Sequence, residues 1–258
     1  MSRSDWLFIP KPITLPSLRI ICFPYAGGNA LTYKSWVELL PNNVELVAIQ
    51  PPGRCNRIFE PAFSDMNALV NGLLPAIKNI IDLPYILFGH SLGSKVAFEL
   101  MSQLNSLDAP LPMHFIASGS RGPHIPARGA GIYNLPEKEF IKELIKLNGT
   151  QKEILENEEL MKLLLPALRA ELKLSHTYCS SSVNSFNCPI SVLGGTEDTE
   201  VTPADLQSWE SNFTSSATIH MIPGDHFFLD SQRHLVLRKI NMIIKECLLK
   251  LTAIADII

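Results

Sequence analysis

Excess basic charge is missing from this chain: 22 lysines and arginines stand against 25 aspartates and glutamates, a net charge of -3. No global field draws it to nucleic acid or to anionic lipid. Long apolar runs are missing too, each broken by a charge or a proline well short of the roughly 18 residues that a membrane span needs. The N-terminus, with Asp5 and Pro10, lacks a signal-peptide pattern. The expectation is a soluble, cytoplasmic monomer that contacts neither nucleic acid nor membrane. Cysteine is sparse, and its five copies (Cys22, Cys55, Cys179, Cys188 and Cys247) are odd in number and form no C-x-x-C pair. That argues against a disulfide framework and a structural zinc site, and for passive thiols in a reducing compartment. Phosphate-binding glycine loops are absent: there is no G-x-G-x-x-G, and Ser94 stands where a P-loop would need glycine.

What is present is enough apolar residue, 46% of 258, to bury a full core. One domain spanning 1–258 is expected. Strand patterns at Arg19–Phe23, Val44–Gln50, Tyr85–Phe88, His114–Ser118, Pro189–Gly194 and Ala217–Ile222 alternate with helical ones at Ala30–Leu40, Met66–Ile81, Ser94–Leu104 and Asp205–Phe213. A long amphipathic helix, His234–Leu251, closes the chain. Such alternation predicts an α/β protein with a mainly parallel sheet covered on both faces. From 122 to 187 the alternation stops. A stretch rich in proline and glycine leads there into purely helical patterns, Pro136–Leu147 and Glu158–Tyr178. This interval is expected to be a helical lid inserted in the domain, its leucines forming an apolar wall for an acyl chain or simply packing as core.

The most telling motif is Gly89-His90-Ser91-Leu92-Gly93. Its three fixed positions recur by chance in about one chain in ten of this length, so the flanks must decide. They do so: a short apolar strand precedes the motif and a helical pattern follows, the order required to lift a serine onto a sharp strand-to-helix turn. Glycine at 89 and 93 lets neighbouring backbone pass close by, and the helix N-terminus behind the serine favours a developing oxyanion.

A neutral serine hydroxyl attacks a carbonyl poorly and needs a base. Acid and base both follow the serine in the chain order that goes with this turn. His226 fits, sitting after the last strand and the turn Pro223-Gly224-Asp225, whereas His220 falls inside a strand, His234 inside a helix and His90 inside the turn it shapes. For the acid, Asp198 ends a strand running out through Gly194-Gly195, with Glu197 and Glu200 as near rivals and Asp225 poorly placed beside its own histidine. The backbone N–H groups of Leu92, next to the serine, and of Ala26, in Phe23-Pro24-Tyr25-Ala26-Gly27-Gly28, are the expected oxyanion donors.

With these segments in order, the chain resembles the α/β-hydrolase family of type II thioesterases, the stand-alone editing enzymes of non-ribosomal peptide and polyketide synthesis. Phe23–Gly28 is similar to the family's oxyanion loop, Gln50-Pro51-Pro52-Gly53-Arg54 to its Q-x-P-G-R segment, and Gly89–Gly93 to its nucleophile elbow. Leu168-Arg169-Ala170-Glu171-Leu172 is similar to a lid-helix motif, and Gly224–Leu229 to the histidine loop. The chain departs from the family where Pro51 replaces leucine, Cys55 glutamate, and Glu171-Leu172 an Asp-Phe pair. The resemblance implies an α/β-hydrolase fold and hydrolysis of acyl thioesters on the phosphopantetheine arm of an acyl or peptidyl carrier protein. The arm belongs to the partner, so the enzyme needs no metal or cofactor of its own. A medium-chain fatty-acyl thioesterase, a small-ester carboxylesterase, and a hydrolase-fold binding protein without activity are the alternatives. Arg54, Arg57 and Arg169 would serve either a phosphate or carrier surface, or structural ion pairs.

Overall fold

The computed structural model describes residues 5–149, 152–180 and 185–255. In chain order the elements are β1 (Leu7–Phe8), β2 (Leu18–Phe23), β3 (Val44–Ile49), α1 (Met66–Lys78), β4 (Tyr85–His90), α2 (Leu92–Ser106), β5 (His114–Ser118), α3 (Glu137–Leu147), α4 (Lys152–Leu155), α5 (Glu158–Thr177), β6 (Ile190–Gly195), α6 (Pro203–Gln207), β7 (Thr218–Ile222), α7 (Phe228–Ser231) and α8 (Arg233–Ala255). The strands form a sheet of order β1-β3-β2-β4-β5-β6-β7 among the described residues. Only β1 runs antiparallel to its neighbour.

Both faces of this sheet are covered, and the period-2 alternation of side chains sorts its core into two layers. Ile21, Phe23, Val47, Tyr85, Leu87, Phe115 and Val192 point to the side packed by α1 and α2, against Leu73, Leu100 and Leu104. Ile20, Cys22, Leu46, Ile86, Phe88, Ile116 and Leu193 point to the other side, where Trp36 and the α8 residues Val236, Ile240 and Ile244 close over them. This accounts for strands that read as nearly continuous apolar runs.

Two elements differ from the sequence reading. Ala30–Glu38 is a 3-10 helix, capped by the Asn29 side chain and bringing Tyr33 and Trp36 into the core. The helix expected over Asp205–Phe213 starts earlier, at Pro203, where Thr202 and Asp205 cap each other, and passes into a 3-10 turn over Ser208–Asn212. The short β1 strand was invisible to periodicity, since two residues carry no pattern.

Between β5 and β6 lies the helical segment of α3, α4 and α5. Its leucines divide their duties. Leu144, Leu164, Leu165 and Leu168 join Phe140 and Met161 in a core of their own. Of the 122–187 interval named from the sequence, residues 150–151 and 181–184 lie outside the described residues.

Chain order reverses at the centre of the sheet, because β3 lies on one side of β2 and β4 on the other. Loops leaving the carboxyl ends of β2 and β4 therefore diverge and leave a crevice between them, the usual ligand position in open parallel sheets. Residues 24–29 and Ser91 occupy those two loop positions.

Candidate active site

Ser91 stands at φ 52° and ψ -117°, a left-handed backbone conformation costing on the order of 1–3 kcal/mol for a residue with a side chain. Close packing holds it there. A Cβ built on Gly89 would lie 2.4 Å from the backbone of Gly93, and one on Gly93 would lie 2.1 Å from the Phe23 carbonyl oxygen. The Ser91 N–H donates to the Ser118 carbonyl at 2.7 Å, and the Ser94 hydroxyl donates to the Gly89 carbonyl at 2.7 Å. Ser94, which excluded a P-loop, thus braces the turn. Helix α2 begins at Leu92, two residues earlier than its periodicity suggested, so its N-terminus lies directly behind the serine.

His226 Nδ1–H donates to Asp198 Oδ2 at 2.8 Å. The other carboxylate oxygen of Asp198 accepts from the backbone N–H groups of Glu200 (2.8 Å) and Val201 (3.1 Å). Burial alone would raise the Asp198 carboxyl, but the His226 hydrogen bond and charge, with those two amides, outweigh it and hold the group below the ordinary carboxylate range. An ionised acceptor at Nδ1 fixes the proton there and leaves the Nε2 lone pair free. His226 lines the same cavity as Ser91. This arrangement suits proton removal from a serine hydroxyl.

His90 supports the pair from beneath. Its ring is fully buried, with Nε2–H donating to the His226 carbonyl at 2.9 Å and Nδ1 accepting from the Ser118 hydroxyl at 2.8 Å. One ring nitrogen must donate and the other accept, so this geometry requires a neutral imidazole. Burial first, and then the neighbouring His226, push its pKa down to about 3. Burial likewise lowers His114 to about 4. Both folded values lie below the unfolded value of about 6.5, so across that interval the unfolded chain binds protons the fold refuses. Stability should therefore be full above pH 6.5 and fall on acidification by about 1.4 kcal/mol per pH unit for each histidine. Urea midpoints at pH 7.5 and 5.0 measure this, and His90→Gln should show a shallower slope. Equal midpoints at the two pH values would contradict it.

Of the two expected oxyanion donors, Leu92 follows Ser91 at the first position of α2, and Ala26 lines the cavity that Ser91 faces. Neither N–H donates a hydrogen bond among the described residues. The Ala26 loop is held by a clamp that sequence reasoning missed. Glu171 on α5 accepts from the Gly27 N–H at 2.7 Å and from Arg54 through Nε (3.1 Å) and Nη2 (2.5 Å), with both charged side chains buried. Gly27, at φ 93°, allows the turn. The resemblance had marked both segments, but only the fold pairs them.

Neither of the other two arginines is free. Arg57 pairs with Glu60 and lies over the Trp6 ring at 4.3 Å, while Arg169 donates to the Tyr133 carbonyl and covers the Phe140 ring at 4.2 Å. Among the rival acids, Asp225 accepts from the Phe227 N–H and Glu200 is exposed at the cavity, whereas Glu197 donates its N–H to Gly224. His220 and His234 lie in β7 and α8, where their elements were expected.

The cavity measures about 340 Å³. Its lining includes the apolar side chains Leu144, Leu147, Leu168 and Leu172 and the cations Lys95, Arg121, Arg128 and Lys146. Among the described residues no cluster of histidine, cysteine, aspartate or glutamate is arranged to hold a metal, and no helix is long and apolar enough to cross a membrane.

A family model for the thioesterase domain matches residues 18–244. The chain is 36% identical over 251 residues to linear gramicidin dehydrogenase LgrE of Brevibacillus parabrevis, covering 96% of this chain and 95% of that protein. It is also 36% identical over 231 residues to gramicidin S biosynthesis protein GrsT of Aneurinibacillus migulanus, with 90% of each covered. Among solved structures, the type II thioesterase BorB from the borrelidin biosynthetic cluster superposes with a TM-score of 0.86 at 30% identity, over 94% of this chain and 99% of that one.

Proposed function

Because the chain belongs to the thioesterase family, we propose that it is a type II thioesterase, hydrolysing acyl thioesters on the phosphopantetheine arm of acyl or peptidyl carrier proteins. Ser91, His226 and Asp198 form its triad, and the N–H groups of Ala26 and Leu92 its oxyanion hole. The observation that carries the reading is the 2.8 Å bond from Asp198 to a histidine that lines one cavity with a serine on a strained elbow. The enzyme works as a monomer in the cytoplasm without metal or prosthetic group, and 122–187 is its lid. The word dehydrogenase in one relative's name describes a redox step. This chain carries no G-x-G-x-x-G turn for a dinucleotide.

In the acylation step His226 Nε2 takes the Ser91 proton as Oγ bonds to the thioester carbon, and the carbonyl electrons move onto oxygen between the two N–H donors. Collapse re-forms the carbonyl and breaks the C–S bond. A thiolate leaves more readily than an alkoxide, because thiols are far more acidic than alcohols, and takes up the proton from His226. Water then replaces the thiol: His226 removes its proton, the tetrahedral centre forms again, and Oγ leaves reprotonated with release of the free acid.

The test is kcat/KM for one acyl group presented on a carrier protein, on coenzyme A and as an aryl oxyester. A carrier preference of about tenfold or more is expected if protein contacts worth roughly 1.4 kcal/mol assist binding. Faster turnover of the oxyester than of either thioester would favour a carboxylesterase and overturn the proposal.

A further inference from the structure

One cation in the cavity has no ion-pair partner among the described residues. Lys95 lies four residues beyond Ser91 on α2, about 6 Å along the helix at 1.5 Å per residue. It lines the cavity yet is only 5% exposed. Its ammonium donates one hydrogen bond, to the Ser175 carbonyl in the last turn of α5 at 2.7 Å, and among the described residues it meets no carboxylate at ion-pair distance. An ammonium has three donors, so capacity remains.

Arg121 stands near it, lining the same cavity; its guanidinium donates to the carbonyls of Pro126 and Glu200, and its charge also acts on the Asp205 carboxylate. Burial first, and then the Arg121 charge, bring the Lys95 pKa down to about 8, so the ammonium form still prevails at neutral pH. The other cavity cations are compensated, Arg128 by Asp205 and Lys146 by Glu143. Asp225 and Glu200 are the acids that reach the cavity, one committed to the Phe227 N–H and the other exposed.

A buried charge without a partner is costly, and an anion from outside would relieve it. Building on the thioesterase reading, we infer that Lys95, with Arg121 behind it, selects acyl groups that carry a carboxylate near the thioester. The phosphate of the pantetheine arm cannot be that anion while the thioester is at Ser91, because it stays at the far end of the arm beside the carrier, whereas Lys95 is buried one helical turn from the nucleophile. Ser91 and Lys95 line one cavity, so the acyl groups concerned are dicarboxylic half-thioesters short enough to keep both ends within it.

The alternative is purely structural: Lys95 caps the C-terminal end of α5, where cations are favoured. The two roles separate by substrate. Malonyl and glutaryl thioesters are compared with their neutral isosteres, 3-methylbutanoyl and 5-methylhexanoyl thioesters, on one carrier protein, with spontaneous hydrolysis subtracted. Wild type should favour at least one anionic member of the pairs by tenfold or more in kcat/KM, the size of one charge-assisted hydrogen bond in a water-poor site. Lys95→Met should collapse that ratio by a similar factor. The ratio is read on a single preparation, so loss of folded protein cancels. A wild-type preference for the neutral member of both pairs, or a ratio unmoved in the variant, overturns the inference and leaves the thioesterase reading intact. No hydrolysis of any of the four by wild type overturns both.

Discussion

Ser91→Ala should lower kcat for acyl-carrier hydrolysis by about 10⁴- to 10⁶-fold, the loss associated with removing a nucleophile that acts as one unit with its base. The substitution takes one oxygen from a turn held by backbone: the Ser91 N–H still donates to Ser118, and Gly89 and Gly93 still permit the close approach of α2. Stability should therefore change little, separating the chemical loss from a folding defect. Residual turnover should reflect water attacking a carbonyl polarised by the two N–H donors. Steady-state assays on the acyl-carrier substrate give the rate, and a fluorophosphonate probe gives the site, labelling wild type once and the variant not at all. Turnover within tenfold of wild type, or undiminished labelling, would sink the assignment of Ser91.

The elbow was legible because its demands are local. A strand, two glycines two places from a serine and a helix must be adjacent in sequence, since backbone packs on backbone within a few residues, and the structure has Gly89, Ser91 and Gly93 in those relations. The parallel sheet was legible for a similar reason, each strand carrying its own apolar run. Asp198 and His226 needed more, namely the order of acid and base after the serine, because no local feature says that loops after β6 and β7 will meet at 2.8 Å. Long-range pairings were not legible. Nothing about Glu171 indicates that it will accept from Gly27, 144 residues away, or bind Arg54. Lys95 occupies a place in α2 where helical spacing describes only a face, and its burial depends on α5 crossing above. The leucines of α3 and α5 show the same limit, since helical spacing does not separate those lining the cavity from those packing on one another.

Asp198→Asn should reduce kcat by roughly 10³- to 10⁴-fold even though the side chain keeps its shape. The reason lies in the two amides that accompany the acid. Glu200 and Val201 both direct N–H groups at Oδ1, so the replacing side chain must turn its carbonyl oxygen toward them to avoid leaving two donors unpaired. Its NH₂ then occupies the position of Oδ2 and faces His226 Nδ1. Two donors cannot face each other, so the ring moves its proton to Nε2 and presents N–H, not a lone pair, toward the cavity. The base is lost through tautomer choice, without displacement of the ring, whose loop remains tied by His90 to the His226 carbonyl. Nitrogen-15 shifts of the labelled histidine should report protonation at Nδ1 in wild type and at Nε2 in the variant, alongside the fall in kcat. A variant that keeps the wild-type tautomer and turns over within tenfold of wild type would show that Asp198 does not orient the base.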